Sequence, residues 1–217
     1  MNIIRHQEFF NPLEINNVIH IVGVGAVGST IATMLTRLGV DALYLWDFDT
    51  VGDHNIPNQM FRNKDIGKLK TEALKEQLQE INPDIKVLTR NKYDAEELEG
   101  YVFVCVDNIE VRKELYEANE YNPLIKAVFD TRIGLDVGQV YIAKWNNEKE
   151  VENLIRASEF SHNEVKEETT ACGSKLAILP TVILVSNIAV TNFINLIKTN
   201  STRHLTTFNS FNLTISR

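Results

Sequence analysis

Apolar and polar positions follow one another along this chain in blocks of two kinds. Short runs rich in β-branched and aromatic residues occupy 18–22, 42–46, 85–89, 101–106 and 124–130. Between them, 29–38, 70–81 and 110–120 repeat their apolar residues at the three-to-four spacing of a helix that buries one face. Asn82-Pro83 closes the second of these, because proline lacks an amide donor and restricts the residue before it. Strand and helix in alternation predict a doubly wound, mostly parallel α/β sheet with helices on both faces.

The second half of the pattern differs. Residues 136–145 alternate strictly and predict a strand antiparallel to its neighbours, with Gly134 and Gly138 near the bend. Residues 146–171 are polar and highly charged, which marks an exposed crossover insertion with helical spacing around Val151, Leu154 and Ile155. A long apolar helix follows over 180–198, with proline in its first turn. Its broad apolar surface predicts burial, at a subunit contact. Residues 203–216 alternate as one or two final strands, an antiparallel C-terminal extension. The whole of 1–217 reads as one domain.

Composition narrows the function classes. With 44% hydrophobic and 24% charged residues, the chain has an ordinary globular balance. A net charge of −7 gives no basic field for nucleic acid or an anionic membrane. The stretch 178–190 is broken by Pro180, Thr181, Ser186 and Asn187, so no membrane span is predicted. A cytoplasmic protein is expected. There are two cysteines, Cys105 and Cys172, so a four-thiolate zinc ribbon cannot form and no zinc is expected. His54 and His162 stand alone in polar segments and read as solvated loop histidines.

The chemistry begins at Gly23-Val24-Gly25-Ala26-Val27-Gly28, set between the first apolar run and the first helix. An acidic pair, Asp47 and Asp49, ends the second run. This is the fingerprint of a Rossmann-like nucleotide site: Gly23 allows the tight turn, Gly25 lets backbone approach a phosphate or ribose, and Gly28 lets the helix pack closely. Asp47 either accepts ribose hydroxyls or is a strand-terminal turn acid, and Asp49 caps or orders the next loop. That loop is rich in amides, with Asn55, Asn58 and Gln59, and leads to Lys70 at a helix start. A cation there opposes the helix dipole, so a nearby anion is expected. Asp107 and Asn108 end the 101–106 run. Asp107 is either a Mg²⁺ ligand or the cap of the helix that follows. Arg112, one turn in, braces Asp107 or its loop.

The ordered array resembles the ThiF/MoeB/HesA-type adenylyltransferases, relatives of the adenylation domains of ubiquitin-activating enzymes. The matching residues are Gly23 to Gly28, Asp47 to Val51, Asn55, Gln59, Gly67 with Lys70, and Val106-Asp107-Asn108 with Arg112. The resemblance covers 18–143, with a weaker match at 172–180. It implies an ATP-Mg²⁺-dependent nucleotidyltransferase. The C-terminal carboxylate of a small ubiquitin-like or sulfur-carrier protein, or of a peptide, attacks the α-phosphorus of ATP, giving an acyl-adenylate and pyrophosphate. The implied nucleotide contacts are Gly23, Gly25, Ala26, Gly28, Asp47, Asp49, Asn55, Asn58, Gln59, Lys70, Asp107 and Asn108. Asp47 would hold ribose, Asn55 and Lys70 phosphates, and Asp107 the Mg²⁺. The resemblance also implies a homodimer.

Two departures stand out. The family pattern has arginine immediately before Gln59, where this chain has Asn58. Arg62, or Arg5 of a second copy, would replace that charge. The zinc cysteines common in the family are absent, which leaves Cys172 either as a thiol acceptor for the activated acyl group or as a packed residue near the helix start. A nicotinamide-dependent oxidoreductase and a degenerate nucleotide-binding scaffold are the competing readings. No Tyr-x-x-x-Lys pair supports the first. Asn58 keeps the second open.

Overall fold

The apolar runs become the strands of an eight-stranded sheet. The computed structural model of the chain describes residues 1–159, 177–212 and 214–216. Five strands run parallel: β1 (Ile19–Val22), β2 (Ala42–Trp46), β3 (Lys86–Arg90), β4 (Gly100–Val104) and β5 (Ile125–Ile133). Antiparallel pairing then adds β6 (Val137–Lys144), β7 (Leu205–Asn209) and β8 (Thr214–Ser216). The spatial order is β3-β2-β1-β4-β5-β6-β7-β8, so the chain reverses direction across the sheet between β1 and β4. A crevice opens at such a reversal, beyond the carboxyl ends of the strands.

Strand alternation sends side chains to two separate cores. Ile19, Ile21, Phe103, Ala127 and Phe129 face one side, where α1 (Ala26–Arg37), α2 (Lys70–Ile81) and α5 (Leu179–Thr199) cover them. Val22, Val102, Val104 and Val128 face the other, under α3 (Ile109–Asn119) and α4 (Glu148–Arg156). Phe193 of α5 centres the first core, with edge-on contacts to Tyr101 (5.1 Å), Phe103 (5.7 Å) and Phe129 (5.8 Å). Edge-to-face packing of this kind adds to area burial.

The boundaries depart from the sequence expectation where backbone bonding overrides side-chain pattern. Helix α1 begins at Ala26, not at residue 29, because the Ser29 amide donates to the Gly25 carbonyl and draws the glycines into the first turn. Strand β5 continues to Ile133, past residue 130, since Asp130, Thr131 and Arg132 pair with Tyr141, Val140 and Gln139 of β6. Strand β4 stops at Val104, short of residue 106. Of the polar insertion at 146–171, its start forms α4. Among the described residues, α5 alone is long and apolar enough to cross a membrane by length and composition, and half of that stretch is buried inside the fold.

Candidate active site

The crevice has two walls. The first is built on the glycine turn. The Gly23 amide donates to the Trp46 carbonyl (2.8 Å), holding the turn beside the end of β2. Gly23 has φ +88°, and a Cβ on Gly28 would stand 1.9 Å from the Gly23 carbonyl oxygen, so both positions exclude side chains. Around Gly25 the space is open, and it carries no side-chain cap for α1. The first-turn amides of α1 therefore face outward, an arrangement suited to an anion.

Asp47 locks this wall together. Its Oδ2 accepts from the Val24 amide and its Oδ1 from the Asp49 amide, each at 2.9 Å. Burial raises its pKa, against the lowering effect of the Asp49 amide, the Lys70 charge and the Val24 amide. The carboxylate at the strand end is thus joined to backbone through both oxygens. Asp49 is the more accessible of the pair, with a half-exposed side chain.

Between Asp49 and Lys70 the chain makes a closed excursion. The Val51 amide donates to the Lys68 carbonyl (2.9 Å), the Gly67 amide to the Val51 carbonyl (2.8 Å) and the Lys70 amide to the Asp49 carbonyl (2.9 Å). These bonds return Lys70 to the acidic pair. Lys70 is 7% exposed, and its Nζ lies 2.8 Å from Asp49 Oδ2. The anion expected beside this N-terminal lysine is Asp49. Asn55 is buried within the loop and accepts from the Gly52 amide through Oδ1 (2.8 Å). The Gln59 Oε1 is buried with no hydrogen-bond partner among the described residues.

The second wall carries Asp107. The cap of α3 is Asn108, whose Oδ1 accepts from the Glu110 amide (2.8 Å), so the cap role considered for Asp107 falls to its neighbour. Both Asp107 and Asn108 are exposed at the carboxyl end of β4. Arg112 braces the loop, donating to the Val106 carbonyl and, at 2.9 Å, to the Thr131 carbonyl. Burial brings Arg112 down to about 10, so it stays a cation at neutral pH. It pairs with Asp130, which also accepts from Arg132. The sequence reading missed Asp130 and Arg132; the signal was two opposite charges at i and i+2 closing an apolar strand.

Other expected residues lie elsewhere. Arg62 is held by Asp65 (3.2 Å) and Glu80 (2.5 Å). Glu80 is ten residues along α2 from Lys70, about 15 Å at helical rise, so Arg62 does not reach the crevice. His6 Nε2 lies 3.1 Å from the Leu38 carbonyl, which puts the segment carrying Arg5 at the far end of α1. Within one chain Arg5 is therefore also remote. Asn58 donates through Nδ2 to the Ala177 carbonyl (3.1 Å), joining the loop to the chain entering α5. Cys172 and His162 lie outside the described residues. Burial pushes the Cys105 thiol up to about 11, which makes it a protonated, unreactive group.

Among the described residues, no group of three or more His, Cys, Asp or Glu side chains is placed to hold a metal ion. A magnesium ion carried by a nucleotide needs fewer protein ligands, since it keeps water and phosphate oxygens in its shell. The exposed carboxylate of Asp107 suits that demand.

The profile of the ThiF family matches residues 14–217. "Ubiquitin-like modifier-activating enzyme 5" of Dictyostelium discoideum is 33% identical over 138 residues, 54% of this chain and 35% of that protein. The protein of the same name from Arabidopsis thaliana is 36% identical over 121 residues, 45% of this chain and 28% of its own length. The chain thus spans about a third of the curated relatives it matches. Among solved structures, E. coli MccB with ATP superposes with a TM-score of 0.68 at 19% identity, covering 94% of this chain and 64% of that one. PaaA gives 0.70 at 15% identity, with the same coverage. These likenesses concern the fold.

Proposed function

The chain belongs to the ThiF family, and from that premise we propose that it is an ATP-dependent adenylyltransferase acting on a carboxyl terminus. The observation that carries the reading is the convergence of the open glycine turn, Asp49 with Lys70, and exposed Asp107 around one crevice. The substrate is a small ubiquitin-like or sulfur-carrier protein, or a peptide. The relatives' name supports the first, and MccB crystallised with MccA supports the peptide.

In this reading the first-turn amides of α1 and Lys70 neutralise phosphate oxygens. Asp49, with its half-exposed carboxylate, takes the ribose hydroxyls, while Asp47 holds the turn in shape for it. Asp107 holds the Mg²⁺, which supplies charge neutralisation of the phosphates. The attacking carboxylate is already ionised near neutral pH, so the site needs no general base. It needs two anions brought together in line, and positioned positive charge provides that. Pyrophosphate leaves and the acyl-adenylate stays in the crevice. Dimerisation would bring Arg5 of a second copy toward the charge position that Asn58 leaves vacant, and the Cys172 thiolate would attack the acyl-adenylate, forming a thioester and releasing AMP.

ATP–pyrophosphate exchange tests the proposal. It should depend on Mg²⁺, be stimulated by the true carboxylate partner and fall by about 10²–10³-fold in Lys70→Met. Asn58 and the remote Arg62 favour one competing reading, a nucleotide-binding scaffold subunit. Tight ATP binding with no exchange under any partner would favour that scaffold and remove the enzyme.

A further inference from the structure

Arg112 and Asp130 are buried behind the second wall, with Arg132 partly buried beside them. Asp130 is fully buried: its Oδ1 stands against Arg112 as an ion pair, and its Oδ2 accepts from Arg132 at 2.6 and 3.0 Å. Arg112, 6% exposed, continues to the carbonyl of Val106, the residue directly before Asp107. Arg132 continues the other way, to the Ala157 carbonyl (2.5 Å) and Ser158 Oγ (2.8 Å) at the C-terminal end of α4. Hydrogen bonds, with the Arg112–Asp130 ion pair between them, thus link the Asp107 loop, across β5, to the close of α4. Attachment of α3 to the sheet alone would be served as well by apolar side chains, which carry no desolvation cost. In a low-dielectric interior such charge-assisted contacts are strong and favour one geometry.

We propose that Arg112, Asp130 and Arg132 form a positioning relay that fixes the Asp107 loop and couples it to the C-terminal end of α4. None of the three touches the reacting atoms. The relay acts by setting where the Asp107 carboxylate stands, and on the adenylation reading, on which this consequence rests, that position sets how metal-bound ATP is engaged. The arrangement at the end of α4 is then transmitted to the nucleotide crevice through side chains, with no movement of the sheet.

The test separates the relay from that reading. Arg132→Lys keeps the charge but loses the fork that joins Asp130 to Ala157 and Ser158. In the free protein, hydrogen exchange over 105–110 should accelerate about tenfold, as when one charge-assisted hydrogen bond is weakened, while β1 and β2 stay unchanged. Ser158→Ala should act in the same direction and more weakly. In ATP–pyrophosphate exchange, Arg132→Lys should raise the Mg²⁺ concentration for half-maximal rate and leave the KM for the carboxylate partner unchanged. Unaltered exchange over 105–110, or equal loosening of every strand, would overturn the relay. If the wild-type protein catalyses no ATP–pyrophosphate exchange, the adenylation reading fails, and the hydrogen exchange alone decides for or against the relay.

Discussion

The two walls of the crevice are held by different physics. The glycine wall is fixed by backbone: Gly23 bonds Trp46, Val24 and Asp49 bond one carboxylate, and Lys70 returns to Asp49 through both its amide and its ammonium. The Asp107 wall is fixed by side chains reaching from α3 and β5, with Arg112 and Arg132 sharing Asp130. The backbone wall depends mainly on main-chain groups meeting glycines and one carboxylate. The other depends on three charged side chains from α3 and β5, each costly if left alone.

Substitutions should rank accordingly in stability. Asp130→Ala leaves the buried guanidinium of Arg112 and the partly buried one of Arg132 uncompensated and should cost about 3–5 kcal/mol in urea unfolding. Replacing the set together (Arg112→Met, Asp130→Leu, Arg132→Met) should restore most of that loss. A triple variant no more stable than Asp130→Ala would mean that the charges are not the source of the cost.

Next comes His20, beneath the glycine wall, where its Nδ1 accepts from Trp46 Nε1 at 3.0 Å. Burial, aided by Arg90, lowers its pKa from 6.5 to about 4. The unfolded chain takes up this proton near 6.5 and the folded one only near 4, so its contribution is full above that window and is lost as pH falls through it. About 3 kcal/mol should disappear between those limits in wild type. His20→Phe should flatten that part of the pH profile, and an unchanged slope would assign the acid sensitivity elsewhere.

Asp47→Asn should cost less, about 1–3 kcal/mol by chemical denaturation, since one of two backbone donors then meets an amide NH₂. Lys70→Met should cost least, under about 1 kcal/mol, because its partner Asp49 is half exposed. Its effect belongs to nucleotide binding, to be read by calorimetry with ATP. A loss of several kcal/mol in Lys70→Met would make the glycine wall as dependent on ion pairs as the other.

The same contrast sets what could be read from the sequence. The parallel sheet, its antiparallel extension and the glycine turn were legible because periodicity and turn chemistry are local. An anion near Lys70 was legible from its place at a helix start, but that Asp49 stands beside it was not, since the closed loop between them brings the two together. Arg62 could not be located from spacing, because Asp65 in the preceding loop and Glu80 on α2 capture it. Asp130 only closed the 124–130 run and Arg132 lay outside it, and their partners Arg112 and Ser158 lie on other elements. Long-range pairing of charges leaves no periodic trace.

The position of β1 carries a consequence for how the chain is made. It lies between β2 and β4, and its four residues are all buried. One edge finds β2 early, but the other waits until α1, β2, α2 and β3 have all left the ribosome and β4 has followed. During that interval an apolar strand offers unpaired amides and carbonyls to any passing chain. Synthesis that pauses or stops before Gly100 should therefore yield aggregates, and holding that edge until β4 arrives is work for a nascent-chain chaperone.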